Sequence, residues 1–522
     1  MADSWANSSP SGQQSSAPSG RQRHRHRQRH RQARRSGSDL HLDLPPSVGP
    51  GAPRPRAALL AALREAVRTG RLAPGTRLPS SRTLAADLGL ARNTVAGAYA
   101  ELVAEGWLTA RQGSGTRVAD RAEPAPPRRP RPRAGAEQPS PLSLSRHLRQ
   151  QHRPAHDLRT GAPDVSAFPR SAWLTSARRA LTAAPAHAFS HGDLRGAAEL
   201  RRALAAYLAR ARGVRADPER IVVCAGFAQG VALLARVVAG DVAVEEYGLP
   251  FHRELLETTP DRTRTRPLPV DAHGTRTHLL DTDPHFGDVR AVLLTPAHQY
   301  PLGVPLHPDR RAAVVDWAGR TGGLVVEDDY DGEFRYDRQP VGALQGLDPE
   351  RVVYLGTASK ALAPALRLAW MVLPEHLVEP VLAAKTPAEW TTGALDQLTL
   401  ADFLECGAYD RHVRTMRQRY RRRRDRLVEH LAAHVPEARA TGIAAGLHAV
   451  LRLPPGVTEV AALRALDRAG TALDPLTAFR HPAAPGEPPP PSLVVGYGTP
   501  PEHAYTAALD ALCGTLARCR HS

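Results

Sequence analysis

The chain has 522 residues and a formal net charge of +17. At roughly 100–200 residues per domain it has room for two to four domains, and a basic excess favours polyanions, most often nucleic acid. Four scattered cysteines (Cys224, Cys406, Cys513, Cys519) exclude a disulfide framework and a CxxC metal pair, and with no ~20-residue apolar run and no signal-peptide core the expectation is a cytoplasmic, nucleoid-associated protein without a membrane partner.

Residues 21–35, RQRHRHRQRHRQARR, hold eight arginines and three histidines and no acid. With almost nothing to bury, residues 1–40 read as a disordered basic arm, either solubilising or adding affinity for polyanions. Residues 41–120 read as a folded domain. Leu59, Leu60, Leu63 and Val67 fall on one helical stripe, and Gly70 stops that helix. Ser80 or Ser81 caps a second helix carrying Leu84 and Leu88. Gly89 allows a tight turn. A third helix places Val95, Ala98, Tyr99 and Leu102 on one face, with Arg92-Asn93-Thr94 opening its other face. Two helices joined by a short glycine-containing turn make a helix-turn-helix, whose second helix offers its N-terminal residues to base edges in the major groove. GWLTARQGSGTRVA then reads as strand, Gly-rich turn and strand, a hairpin wing. Spacing alone leaves a plain three-helix packing module open.

Residues 121–155 include PAPPRRPRPRAGAEQPSP, a Pro/Arg-rich linker. From 156 to 522, short β-branched runs alternate with stretches of helical period. The runs are IVVC (221), VAVE (242), AVLLT (291), LVVEDD (324), VVYLGT (352) and LAWMVL (368). This implies βαβ units and an α/β domain with a mostly parallel sheet covered on both faces.

Several runs end in residues with chemistry. In TASKALAPALR, Lys360 follows the strand VVYLGT, so it stands at a strand's C-terminal end, where open α/β sheets place ligands. Burial lowers a lysine's pKa and frees its amine for Schiff-base chemistry. Thr357, Ser359 and Arg367 suit a phosphate. LVVEDDYDGEF ends a second strand: an aspartate there can keep a pyridine nitrogen protonated, and a tyrosine can bond a phenolate oxygen. In VVCAGFAQG a strand turns at glycine into a helix whose first N–H groups suit an anion. A lysine, an aspartate and a phosphate cradle on adjoining strand ends are what pyridoxal 5'-phosphate needs.

Two resemblances follow from these stretches. RTGRLAPGTRLPSSRTLAADLGLARNTVAGAYAELVAEGWLTARQGSGT resembles the GntR-type winged helix. That likeness implies DNA contacts at Arg82, Arg92, Asn93 and Thr94, and at Gln112 and Gly113 in the wing. Arginine and asparagine suit bidentate contacts to guanine and adenine, and Arg82 suits a phosphate. Ala91 departs from the family's Ser or Thr at the start of the recognition helix, a loss of about 1 kcal/mol of capping. Residues 156–522 resemble a fold-type I aminotransferase, through TPAHQYPLGVPL, EDDYDGEFRYDRQPVGALQGLD, YLGTASKALAPALRLAWMVLP and MRQRYRRRRDRL. Together the two parts resemble the MocR/GabR subfamily of GntR regulators.

The likeness implies Lys360 as the lysine that holds the cofactor, Asp328 (or its neighbour Asp329) for the pyridine nitrogen, and Tyr330 for the ring oxygen. Arg367, Thr357 and the backbone of Phe227 and Ala228 are implied for the phosphate, and Tyr300 takes a slot near the ring that is asparagine in ordinary aminotransferases. Leu249 stands where an aromatic residue often stacks, with Tyr247 two residues earlier. Val494 stands where aminotransferases present an arginine to the substrate carboxylate, leaving Arg480 or Arg253 as substitutes. The function implied is a homodimeric transcription regulator that binds double-stranded operator DNA and responds to an amine or amino-acid effector reacting with the cofactor on Lys360. Residual or no transaminase activity is expected. The alternatives are an aminotransferase with an accessory DNA-binding domain, and a GntR-type repressor whose large domain is a cofactor-free dimerisation scaffold.

Overall fold

The structure is a computed structural model, and it describes residues 55–111, 114–120, 154–257, 264–336, 341–389 and 391–519. Two compact units divide the chain between Gln138 and Pro139.

In the first unit, α1 (Pro55–Arg68), α2 (Ser81–Asp87) and α3 (Arg92–Ala104) are followed by the hairpin β1 (Leu108–Arg111) and β2 (Gly115–Val118). Leu59, Leu63, Leu84, Val95, Ala98, Tyr99 and Leu102 form its core. Ser80, not Ser81, caps α2: its Oγ accepts the Thr83 N–H at 3.1 Å. Gly89 takes the left-handed φ of 64° that the turn into α3 requires. The Tyr99 hydroxyl donates to the Pro79 carbonyl at 3.0 Å, tying α3 to the loop before α2. Hairpin pairing runs from Leu108 opposite Val118 to Arg111 opposite Gly115.

The second unit is built on a seven-stranded sheet: β3 (Ile221–Cys224), β4 (Asp241–Glu245), β5 (Thr265–Leu268), β6 (Val289–Leu294), β7 (Leu324–Asp328), β8 (Val352–Thr357) and β9 (Ala369–Val372), in the spatial order β3-β9-β8-β7-β6-β4-β5. Strands β8, β7, β6, β4 and β5 are successively parallel, while β9 runs antiparallel to both neighbours. The sheet is mostly parallel, as the alternation of runs predicts; β9 is antiparallel because residues 358–368 turn straight back, without the crossover that a parallel return needs. That return holds Lys360 and Arg367 at the C-terminal edge of β8.

Alternate residues of each strand enter different cores, as a sheet covered on both faces demands. Val325 and Val352 pack with Val314 and Trp317, whereas Val326 and Val353 pack with Val231 and Leu234. Around the sheet lie α4 (Arg170–Ala183), α5 (Ala198–Arg212), α6 (Phe227–Val237), α7 (Pro250–Glu257) and α8 (Pro308–Thr321). After α9 (Ala394–Glu405) and α10 (Ala408–His434), an antiparallel sheet follows: β10 (Arg439–Thr441), β11 (His448–Arg452), β12 (Asp474–Pro475) and β13 (Ser492–Gly496), in the order β10-β11-β13-β12. From the arginine-rich stretch of α10, Arg423 is fully buried; it pairs with Asp164 (3.0 Å) and Glu502 (2.9 Å) and donates to the Tyr497 and Gly498 carbonyls.

Candidate functional site

The candidate nucleic-acid face is the N-terminus of α3. Arg92 and Asn93 are exposed there, as is Arg82 on α2, and Thr94 is half-buried. Arginines elsewhere in this unit serve the frame: Arg56 pairs with Glu101 (2.7 Å), Arg64 with Glu105 (2.5 Å) and Arg68 with Glu65 (2.8 Å). Arg82 and Arg92 make no ion pair among the described residues, so their charge faces solvent. Ala91 heads α3 without a side-chain cap. Without one, the Arg92 and Asn93 N–H groups that open α3 are left for solvent or a phosphate, while the Thr94 N–H bonds the Ala91 carbonyl. Gln112 and Gly113 lie outside the described residues.

The second site sits at the C-terminal edge of the seven-stranded sheet, where the strand ends bring the predicted residues together. Lys360 is half-buried, and Nζ donates to the Gly161 carbonyl. Burial holds its pKa below the ordinary lysine value, against the opposing pull of Asp328 and Asp331. The neighbouring acids Asp328 and Asp329 face opposite ways, as successive residues at a strand end must. Asp329 is consumed by structure: Arg212 at the end of α5 pairs with it bidentately (2.6 and 2.9 Å), and the Tyr354 hydroxyl donates to it at 2.7 Å. Asp328 is 5% exposed, and its Oδ1 has no hydrogen-bond partner. Burial, together with the nearby acids, drives its pKa well above the carboxylate range, with Lys360 pulling the other way.

Tyr330 donates to the His298 carbonyl at 3.0 Å, and its oxygen lies 3.0 Å from His298 Nδ1, itself 2.9 Å from Asp331 Oδ2. The Tyr300 hydroxyl lies 2.5 Å from Thr160 Oγ1, and its ring packs edge-on against Tyr330, His448 and Phe479.

Phe227 and Ala228 open α6, whose N-cap is Gly226 at φ 90°. A Cβ on Gly226 would meet the Arg367 guanidinium at 2.7 Å. Arg367, itself at φ 52°, donates one Nη2 bond to the Ala225 carbonyl. The remaining guanidinium donors and the first-turn N–H groups of α6 are thus left to an anion in the same place. Thr357 Oγ1 donates to Ser359 Oγ at 2.8 Å and accepts the Ser359 N–H at 3.1 Å. A buried carboxyl with an orphaned oxygen, a half-buried lysine and a glycine–arginine anion cradle are the features pyridoxal 5'-phosphate requires, and they stand together.

Sequence reasoning missed His252. It stacks tilted against Phe227 with ring centroids 4.6 Å apart, and burial first, then Lys360 and Arg253, lower its pKa to about 3. It falls one helical turn beyond Leu249, a spacing that could have flagged it. Leu249 packs with Tyr247, Tyr300, Phe479 and Val494. Of the two substitutes for a carboxylate-binding arginine, Arg480 pairs with Glu246 (3.0 Å), and Arg253 turns its Nη1 to the Gly248 carbonyl (3.1 Å).

The profile of the bacterial regulatory proteins of the gntR family matches residues 55–118, and that of the class I and II aminotransferases matches residues 157–488. The pyridoxine biosynthesis transcriptional regulator PdxR of Corynebacterium glutamicum is 34% identical over 78% of this chain and 86% of its own length. MocR of Rhizobium meliloti, a probable rhizopine catabolism regulatory protein, is 33% identical over 83% and 88%. The chain belongs to the MocR-type GntR regulators. As a MocR-type regulator it couples a DNA-binding helix-turn-helix unit to an aminotransferase-like unit. The fold of the latter is shared with the kynurenine aminotransferase of Pyrococcus horikoshii, at a TM-score of 0.64 and 25% identity over 73% of this chain and 95% of that one. Among the described residues of this regulator no helix is long and apolar enough to cross a membrane.

Proposed function

We propose that this MocR-type regulator holds pyridoxal 5'-phosphate on Lys360 and uses it to sense an amine or amino-acid effector that alters operator binding. The observation that carries this reading is the orphaned, buried Asp328 carboxyl facing the same sheet edge as Lys360 and the Gly226–Arg367 cradle. When bound, the cofactor supplies an aldehyde that combines reversibly with primary amines. Asp328 would hold the ring nitrogen's proton, and Tyr330 and Tyr300 would bound the ring-oxygen side. Arg367, Thr357 and the Phe227 and Ala228 N–H groups would bind the phosphate. Lys360, with its amine pKa lowered by burial, would hold the aldehyde carbon and release it to the effector. PdxR, whose name ties it to pyridoxine biosynthesis, supports a vitamin B6 ligand.

On the DNA side, Arg92, Asn93 and Thr94 would reach base edges, with Arg82 on phosphate and Gln112 and Gly113 in the wing. An effector that favours one arrangement of a homodimer would shift operator affinity by the 1–3 kcal/mol typical of such coupling. Sensing fits better than fast transamination, because Val494 stands at the carboxylate-arginine position, Arg480 is paired with Glu246 and Arg253 is turned to backbone carbonyls.

The test is borohydride reduction of the purified protein followed by peptide mass spectrometry, with gel shifts on the DNA upstream of its coding region. The expected result is a phosphopyridoxyl adduct on the Lys360 peptide, absent in Lys360→Ala, and an effector response of the gel shift lost in that variant. A protein with no adduct that still binds DNA would favour the scaffold reading.

A further inference from the structure

A carboxylate entering a partly buried cleft needs a cation or several N–H donors, because unpaired it loses its hydration without replacement. Among the described residues, the guanidinium groups around Lys360 are turned to other partners or placed for the cofactor's phosphate. Arg367 lies against Gly226. Arg159, one residue before Thr160, is held by Asp157 through two bonds of 2.9 and 2.8 Å. Arg253 caps the Gly248 and Phe479 carbonyls. Arg480 is shared between Glu246 and the Pro485 and Gly486 carbonyls. Burial keeps the imidazoles of His252 and His448 neutral, with both pKa values pulled down to about 3.

Val494 is fully buried in β13, among Tyr247, Tyr300, Leu476 and Phe479. Its sheet partners are Val450 on one side and Asp474 on the other. The charge nearest in register to the carboxylate-arginine position is therefore an acid. Just beyond the C-terminal ends of β3, β4 and β7, the partly exposed side chains include Phe227, Leu249 and Tyr330, which are apolar or aromatic.

The geometry points to an effector of narrower chemistry: a primary amine bearing an apolar or aromatic group, with no carboxylate on the carbon that carries the nitrogen. This rests on the cofactor reading above and deepens it. The exchange is balanced without oxidant or reductant. The effector nitrogen bonds the cofactor's aldehyde carbon, the bond from that carbon to Lys360 Nζ breaks, and the two protons the effector amine gives up pass to Nζ.

The experiment titrates the cofactor-loaded full chain with pairs of compounds differing only in the carboxylate: 2-phenylethylamine against phenylalanine, tyramine against tyrosine, and 3-methylbutylamine against leucine. Visible absorbance of the lysine-bound cofactor and the operator gel shift are read in parallel. The expected result is half-maximal change at a concentration at least about tenfold lower for the amine of each pair. Amino acids acting at equal or lower concentration would overturn the inference. So would absorbance that no member of any pair moves, since the cofactor itself would then be the remaining signal. A protein with no cofactor absorbance and no Lys360 adduct fails earlier, at the cofactor reading.

Discussion

Asp328 and Asp329 are chemically identical neighbours with different work. Asp329 locks Arg212, which is itself buried, and Gly332 leaves room for both: a Cβ there would meet Asp329 Oδ1 at 2.2 Å. Replacing Asp329 by Asn leaves a buried guanidinium without its counter-ion, a loss of about 3–5 kcal/mol. Asp328→Asn instead removes a buried carboxyl with an unmatched oxygen. The cofactor-free D328N protein should therefore melt no lower than wild type yet retain little cofactor, whereas D329N should melt many degrees lower. Thermal unfolding of both variants, with and without added pyridoxal 5'-phosphate, separates the two roles. Equal destabilisation by both would contradict this assignment.

At the scale of elements, the loop after β7 carries a half-buried acid with a measurable consequence. Glu333 accepts from the Tyr409 hydroxyl at 3.1 Å and the Tyr207 hydroxyl at 3.3 Å, and burial, with Asp329 nearby, raises its pKa from 4.5 to about 7. The folded protein then binds more protons than the unfolded chain between those values, so this group's contribution to stability falls as pH rises from about 4.5 to about 7. Glu333→Gln keeps the acceptor and removes the charge. It should raise the melting temperature at pH 8, by an amount corresponding to about 1–3 kcal/mol, and leave pH 5 nearly unchanged. Melting curves at the two pH values check the sign.

The helix-turn-helix offers a paired comparison. Arg64 bridges α1 to Glu105 just beyond α3, so Arg64→Ala should cost up to about 1 kcal/mol of stability. Arg92→Ala should leave stability unchanged and weaken operator binding by about 1–3 kcal/mol, which gel shifts on the two variants would resolve.

Across the whole molecule, Leu174 and Leu181 stand seven residues apart on α4 and are 61% and 54% exposed. That spacing puts them on one helix face. A second copy of the chain is the occupant expected for this stripe, as a symmetric operator would require. On the proposal that the chain works as a homodimer, the double variant Leu174→Glu, Leu181→Glu should sediment more slowly than the unaltered chain and lose operator affinity with it. An unchanged sedimentation coefficient would place the dimer contact elsewhere.

Much of this was legible along the chain because the signals are local. Apolar period marked the helices of the DNA-binding unit, β-branched runs marked the strands of the sheet, Lys360 and Arg367 were singled out by following a strand end, and the family resemblance pointed to Asp328 (or Asp329) and Tyr330. The residues within those motifs, beyond their spacing, carried the family resemblance. Tertiary structure decided what depends on partners distant in sequence: that β9 runs antiparallel, that Asp329 belongs to Arg212 while Asp328 keeps an open oxygen, that Arg253 and Arg480 are already engaged, and that His252 lies against Phe227 beside Lys360. The reason is physical. A residue's type and its neighbours set which way the backbone turns, but whether a buried charge is matched or open depends on groups as far as 259 residues away, as between Arg423 and Asp164, and only the packed fold brings those together.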